Sequence, residues 1–487
     1  MSNSQACIGK GQLIIFLFCC LVLVFSPSVD MVPWDFNAYD EKRFLEILLV
    51  IAVLLHRTVN GQPIQGYGYG CLLVFLLFFV SSCFSFSPRY AFLEMALFVG
   101  LFFFVDFVKN AWLWNAGQTL NSVVVVVCLS ACLFIFTFLL GYLAFFLEGI
   151  PLQGTAPFYH FYNVRFFNQY QLWLFPLLTI PLSLSSPIIC KYKKMLFALL
   201  ICWWVLLFLT AGRGALIAIT AAILISLLMY RRACFYFVKI QMLAALFGFV
   251  VYTFLYYFVY ASEAKTVLRS VGHGRLDLWG KAIELSIQNP FFGVGPMHYA
   301  GTSNDIANHP HNSVLQIAAE WGLPAALIIL GLFFYGLICW LRRFNYQTVN
   351  EYQDEVKPQV VVALFCSLLA GAIYSLVSGV IVMPLSQIMG ALVIGLMFGV
   401  YRGCDSEKTV LPVKIGRSYL VIKSNLSRFL AGITLVIFVW AVLPGLLPRV
   451  LDGQAFSAKS FQVNGGWTMP RFWADGEIPG QIAGVVK

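Results

Sequence analysis

Apolar runs of about 20 residues, the helix length needed to cross a hydrocarbon core of roughly 30 Å, recur from one end of this sequence to the other. They predict spans near 12–29, 44–56, 68–86, 90–108, 120–148, 166–188, 195–211, 214–230, 236–261, 313–341, 359–381, 383–401 and 428–447. Composition agrees: 60% of the 487 residues are hydrophobic and 11% charged, with a mean hydropathy of +0.84. Soluble domains are roughly half apolar and a quarter charged, so a soluble enzyme with one anchor is excluded. The expected fold is an all-α polytopic membrane protein, a bundle of 12–13 transmembrane helices with one long loop on the outer side. The first run follows Lys10 as a signal peptide would, but "LVFSPSVD" offers no small-x-small cleavage site, so it is read as a helix.

Lys and Arg set the orientation. With the N-terminus inside, inner segments carry 18 of the 31 basic residues, which favours that placement by the positive-inside rule. The thirteen cysteines form no C-x-x-C or paired framework, and none falls between residues 262 and 312, as suits an oxidising compartment. The net charge of +10 is spread over the loops without a basic tract, so no nucleic-acid partner is expected.

The chain divides into N-terminal spans (1–261), a long outer loop (262–312), C-terminal spans (313–447) and a polar tail (448–487). The loop holds four of the six histidines, His273, His298, His309 and His311, with Lys265, Arg269, Arg275 and Lys281. Leu276, Trp279, Ile283 and Ile287 recur at helical spacing, which predicts an amphipathic helix along the membrane surface. The "NPFFGVGP" that follows reads as a tight turn, since G-V-G lacks the flanking strand and helix of a phosphate cradle.

Ionisable groups at span ends are costly and commonly face a cavity. In "TAGRGALIAIT", Arg213 stands between two glycines: either a hairpin arginine reaching headgroups, or a guanidinium that grips a phosphate or diphosphate bidentately. In "NVRFFNQYQLW", Arg165, Asn168 and Gln171 share a helical face among Phe166, Phe167, Tyr170 and Trp173. That pattern suits an interfacial aromatic belt or a surface for a sugar chain.

"HPHNSVLQIAAEWG" (309–322) starts the tenth span. Ser313 and Gln316 fit a capping box, with the helix starting at Asn312 or Ser313. Gln316 and Glu320 form a polar stripe, and Glu320, with no basic residue a turn away, must pair across helices, meet water or be protonated. The H-x-H pair could supply two zinc ligands, but His273, His298 and Glu320 have no diagnostic spacing for completing the set, so no metal is expected. Alternatively the run is a polar cap, or His311, neutral beside a helix N-terminus, is a general base.

"GRGALIA" (212–218), "GRLDLW" (274–279), "NPFFGVGPMHY" (289–299) and "HPHNSVLQIAAEWG", in this order, resemble the O-antigen ligase superfamily, which includes O-antigen polymerases and pilin-modifying O-oligosaccharyltransferases. The resemblance implies metal-independent transfer of a finished glycan, without a cofactor, from undecaprenyl diphosphate to an acceptor hydroxyl on lipid A core or a pilin-like protein. The implied location is the periplasmic face of the bacterial inner membrane. By the same resemblance, His311 matches the proposed general base, Arg213 the arginine that binds the diphosphate, and Arg275 a basic residue near the lipid donor. Arg165, Asn168, Gln171, Asn312, Gln316 and Glu320 are further candidates for substrate binding. "RFFNQYQLW" and the tail "VNGGWTMPRFWADGEIPG" are similar to the pilin-modifying type, and the tail is either a loose end or a flap near the acceptor. A polymerase joining repeat units, or a transporter of lipid-linked sugars, are the alternatives, although no paired inverted repeats mark a transporter.

Overall fold

The computed structural model describes residues 2–32, 34, 36–61, 69–149, 156–184, 187–258, 274–302, 307–345, 357–404, 417–452, 470–476 and 478. Within them run α1 (Ser2–Phe25), α2 (Ala38–Asn60), α3 (Tyr69–Phe84), α4 (Pro88–Trp114), α5 (Ala116–Leu147), α6 (Val164–Leu177), the short α7 (Ile180–Ser183), α8 (Pro187–Leu209), α9 (Arg213–Tyr230) and α10 (Phe235–Phe258). The second half contributes α11 (Gly274–Gln288), α12 (Ser313–Trp321), α13 (Leu323–Arg343), α14 (Pro358–Ser375), α15 (Pro384–Gly403) and α16 (Arg417–Leu451). The protein is an all-α polytopic membrane protein: no strand occurs among the described residues, and eight helical stretches are long and apolar enough to cross a membrane. One of the eight, Arg213–Leu255, contains both α9 and α10, and Gly11–Phe25 and Gly70–Phe84 are apolar but shorter.

Among the described residues each expected span overlaps helix, but two are interrupted. The sixth stops after Pro176, inside the last turn of α6, and resumes as α7. The tenth breaks at Gly322, whose φ of +91° no helix contains, leaving α12 as a separate nine-residue helix ahead of the apolar α13. The Phe291 carbonyl oxygen would stand 2.2 Å from a Cβ at Gly322, so the break is also where the loop packs closest.

In the interior, α4 packs on α15, α14 on α6 and α9, and α16 on α2 and α4. Gly395 and Gly399 make the first pairing possible, because a Cβ at either would press on Val108 or Trp112 of α4. The surface of α13 and α10 is largely apolar and exposed, as lipid-facing helices require.

Charged residues mark the two ends of the bundle. At one end Arg57 of α2 pairs with Asp106 of α4 at 2.8 Å and donates to Ser427 at 2.7 Å, while Lys109 also pairs with Asp106. At the other, Arg43 near the start of α2 donates to the Phe472 carbonyl (2.9 Å) and Gln387 (2.8 Å) and pairs with Glu46. The tail and the long loop share this second end, since Asn308 donates to the Gly476 carbonyl at 3.3 Å.

Candidate functional site

The site begins at the start of α12. Asn312 is the N-cap, its side-chain oxygen accepting from the N–H groups of Val314 (3.0 Å) and Leu315 (3.1 Å). Ser313 is therefore inside the helix and its hydroxyl makes no capping bond, while Gln316 turns to Glu320 at 3.2 Å. The capping box expected from the sequence is replaced by an Asn cap.

Immediately before the cap, His311 adopts φ +52°, the left-handed region a non-glycine residue enters only when its surroundings hold it there. Its backbone N–H donates to Nδ1 of His309 at 3.3 Å, and the two rings meet edge to face at 4.1 Å. His309 is buried, whereas His311 is only partly so. Burial first, and the charge of Arg275 second, push the His311 imidazole down to about 4. The ring is therefore neutral near pH 7. The sequence argument reached the same state through the helix dipole, but desolvation and Arg275 are the causes found.

Arginines stand on three further elements. Arg213 is the first residue of α9, presented by a turn in which Ala211 has φ +47°. Arg165 of α6 reaches the carbonyls of Thr210 and Ala211 at 3.4 Å each. Asn168, fully buried, donates to the Thr210 hydroxyl at 2.9 Å, and Gln171, also fully buried, donates to the Trp203 carbonyl at 2.8 Å. This places Asn168 directly behind the turn and Gln171 deeper, between Asn168 and α8, with Arg165 exposed on its outer side. A Cβ at Gly212 would come 2.7 Å from the Asn168 oxygen, so the turn lies directly on that amide. Gly214 faces Tyr374 and Val377 at the end of α14. Of the arginines, Arg275 at the start of α11 lies within electrostatic reach of His311.

Glu320 resolves its isolation by pairing across the chain. Arg471 of the tail bridges it at 2.5 Å and Glu94 of α4 at 2.6 Å, with all three side chains buried. Glu320 also accepts the Tyr299 N–H at 3.2 Å, and Glu94 the Met297 N–H at 2.8 Å. Gln316 and Glu320 thus lie inside the protein, fastening α12 to the loop, the tail and α4. A second clasp joins Arg449 of α16 to Asp40 of α2 at 3.6 Å and to Asp475 of the tail, while Ala474 N–H donates to Asp40 at 2.7 Å. Residues 470–476 are accordingly buried and tied down, not a loose end.

The remaining loop motifs also take defined places. "NPFFGVGP" lies against the C-terminal end of α12, the N–H groups of Val294 and Gly295 donating to the Ala319 (2.9 Å) and Glu320 (3.0 Å) carbonyls. Those donors cap a helix and are not free to cradle an anion. His298 has both ring nitrogens engaged, with Ser87 N–H at 2.8 Å and the Pro296 carbonyl at 2.6 Å, so it offers no lone pair to a metal. The expected amphipathic helix is α11: Leu276, Ile283 and Ile287 are exposed, and a second face carrying Leu278, Ala282 and Leu285 docks onto α12. His273, Lys265 and Arg269 lie outside the described residues.

Residues 197–330 match the O-antigen ligase family. Over that segment the match supports the resemblance to the O-antigen ligase superfamily. No curated protein matches it. The matched segment runs from within α8 into α13 and contains Arg213, Arg275, His311, Gln316 and Glu320. Arg165, Asn168 and Gln171 lie before it, as does Glu94, and Arg471 lies after it. The match over this segment supports glycosyl transfer of the O-antigen ligase or polymerase type, in a multi-pass membrane protein.

Sequence reasoning missed Glu94 and Arg471, which fasten α12 in place. For Glu94 a signal existed: an acid inside an apolar run demands a partner. Arg471 carries no such mark, since its partners are 151 and 377 residues away.

Proposed function

We propose that this protein is an oligosaccharide ligase that transfers a preassembled glycan from undecaprenyl diphosphate to an acceptor hydroxyl, on lipid A core or on Ser/Thr of a pilin-like protein. The reaction is assigned to the periplasmic face of a bacterial inner membrane. The observation that carries this reading is a neutral, partly exposed imidazole at His311, held within electrostatic reach of Arg275.

The acceptor oxygen attacks the anomeric carbon while the bond from that carbon to the diphosphate oxygen breaks. His311 takes the acceptor proton as the new C–O bond forms, which a neutral imidazole does and an imidazolium cannot. The diphosphate leaves with the electron pair of the broken bond, and its growing negative charge is met by fixed guanidinium groups. Arg213 is the first of these, in a turn whose carbonyls are gripped by Arg165 and whose far side rests on Asn168. Arg275 serves twice, as a cation toward the donor and as the charge that helps keep His311 unprotonated. Attack opposite the leaving group inverts the anomeric carbon. Asn312, Gln316 and Glu320 contribute by holding the start and the body of α12 in place. In this scheme arginines supply the charge a metal would otherwise bring, so the reaction proceeds under exhaustive chelation.

The test is a purified reaction containing chelator and undecaprenyl-diphosphate-linked glycan, offered lipid A core, pilin, or no foreign acceptor. Transfer to a foreign acceptor supports the ligase. Chain extension of the glycan alone would make the protein a polymerase, and movement of intact donor across vesicles without transfer would make it a transporter.

A further inference from the structure

His309 is used by no step above, yet it is one of the most completely enclosed polar groups in the loop, with 2% of its surface exposed. Its imidazole sits over Gly379, in the segment between α14 and α15, so closely that a Cβ there would come 2.5 Å from Cε1 and 2.9 Å from Nε2. Its Nδ1 faces the backbone N–H of His311 at 3.3 Å. Because that N–H is a donor, Nδ1 must be the unprotonated nitrogen, which leaves the ring proton on Nε2. The residue it holds has φ +52°, and Pro310, whose ring fixes its own φ, is the single residue between the two histidines in the chain. Left-handed backbone at a non-glycine residue is costly, so it persists where neighbouring contacts determine it.

We propose that His309 is the positioning residue for His311: by accepting the His311 N–H at Nδ1, on a floor made by Gly379, it sets the backbone conformation that aims the His311 ring at the acceptor. The inference rests on the reading of His311 as the base. It also explains why two histidines stand one residue apart without sharing a role. One ring is a buried acceptor against the backbone, and the other is partly open toward Arg275.

The test compares His309→Ala, His309→Asn, Gly379→Ala and His311→Ala in the purified full-length protein. Turnover per folded protein and KM for undecaprenyl-diphosphate-linked glycan are measured alongside the melting temperature. Displacement of a reacting group by about 1 Å costs on the order of 10²-fold in rate. His309→Ala and Gly379→Ala, the latter pushing the ring from the other side, are expected to lower kcat about 10- to 100-fold with donor KM within about twofold. His309→Asn recovers most of the loss, because its side-chain oxygen stands where Nδ1 does and accepts the same N–H. Unchanged kcat in His309→Ala would overturn the proposal. So would an Asn variant as impaired as Ala, or a lower melting temperature with full turnover per folded protein. If His311→Ala itself stays active, the assignment of the base fails instead; if it is silent while His309→Ala is normal, only the positioning role fails.

Discussion

Replacing Arg471 by alanine breaks the buried ionic cluster that ties the tail to α4 and α12. Arg471 lies between Glu94 and Glu320 at 2.6 and 2.5 Å, all three side chains nearly inaccessible to water. Removing one member of a buried ionic group commonly costs about 3–5 kcal/mol, because the partners keep their desolvation penalty and lose their attraction. Here two acids are left facing each other, so the upper part of that range is expected. The loss depends on pH in a defined direction. Burial first raises the Glu320 carboxyl, to about 7 even with Arg471 in place, and Arg471 is the main charge opposing that rise while Glu94 adds to it. Without Arg471 the folded state binds this proton more tightly still. A carboxyl with a raised folded-state pKa stabilises below its unfolded value, about 4.3, and that contribution is lost as pH rises. Arg471→Ala should accordingly be least destabilised near pH 5 and most at pH 8. The triple variant Arg471→Met with Glu94→Gln and Glu320→Gln removes all three charges and should recover much of the loss, since apolar or neutral replacements of buried ion groups are often neutral or better. Thermal unfolding in detergent across pH 5–8 provides the measurement. Equal stability of Arg471→Ala and the parent at pH 8, or a variant that gains stability as pH rises, would refute the argument.

Three other outcomes follow from the arrangement of the site. Arg213→Lys should lose transfer by on the order of 10²-fold in kcat, since an ammonium is a point charge and does not reproduce the planar fork of a guanidinium; steady-state kinetics at saturating acceptor will show it. With His311 pushed down to about 4, the rate should be flat through neutrality and fall as pH drops through about 4, where the imidazole gains a proton and can no longer act as a base. Arg275→Gln removes one cause of that shift and should move the acid limb to higher pH, and an unmoved limb would show that Arg275 does not act on His311.

Hydropathy carried the bundle because each crossing helix must satisfy its own backbone and present apolar residues to lipid, a constraint written locally in the chain. The breaks were harder to see. Gly322 ends α12 through a close approach of Phe291, and nothing within the run 313–341 states that contact. The N-cap was read to within one residue, with Asn312 taking the part that Ser313 and Gln316 suggested. For α11 the periodicity identified the exposed stripe of Leu276, Ile283 and Ile287, but not the second face that docks on α12, since both faces are apolar. At the site, His311, Arg213 and Arg275 stood out because ionisable residues at span ends and in the loop are few. Asn168 and Gln171 are also polar residues in an aromatic stretch, and only the fold shows that Asn168 lies directly behind the Arg213 turn and Gln171 deeper, between Asn168 and α8. The ties of Glu320 to Glu94 and Arg471 are long-range pairings between groups each of which looks merely isolated in its own segment.

The central claim is that His311 is the base of a glycan transfer, and turnover of undecaprenyl-diphosphate-linked glycan by purified parent and His311→Ala protein tests it most directly. A positioned general base contributes about 10²–10⁴-fold, so the variant, folded and with donor KM preserved, should be slower by at least that lower bound. A His311→Ala protein that transfers glycan at the parent's rate would contradict the account.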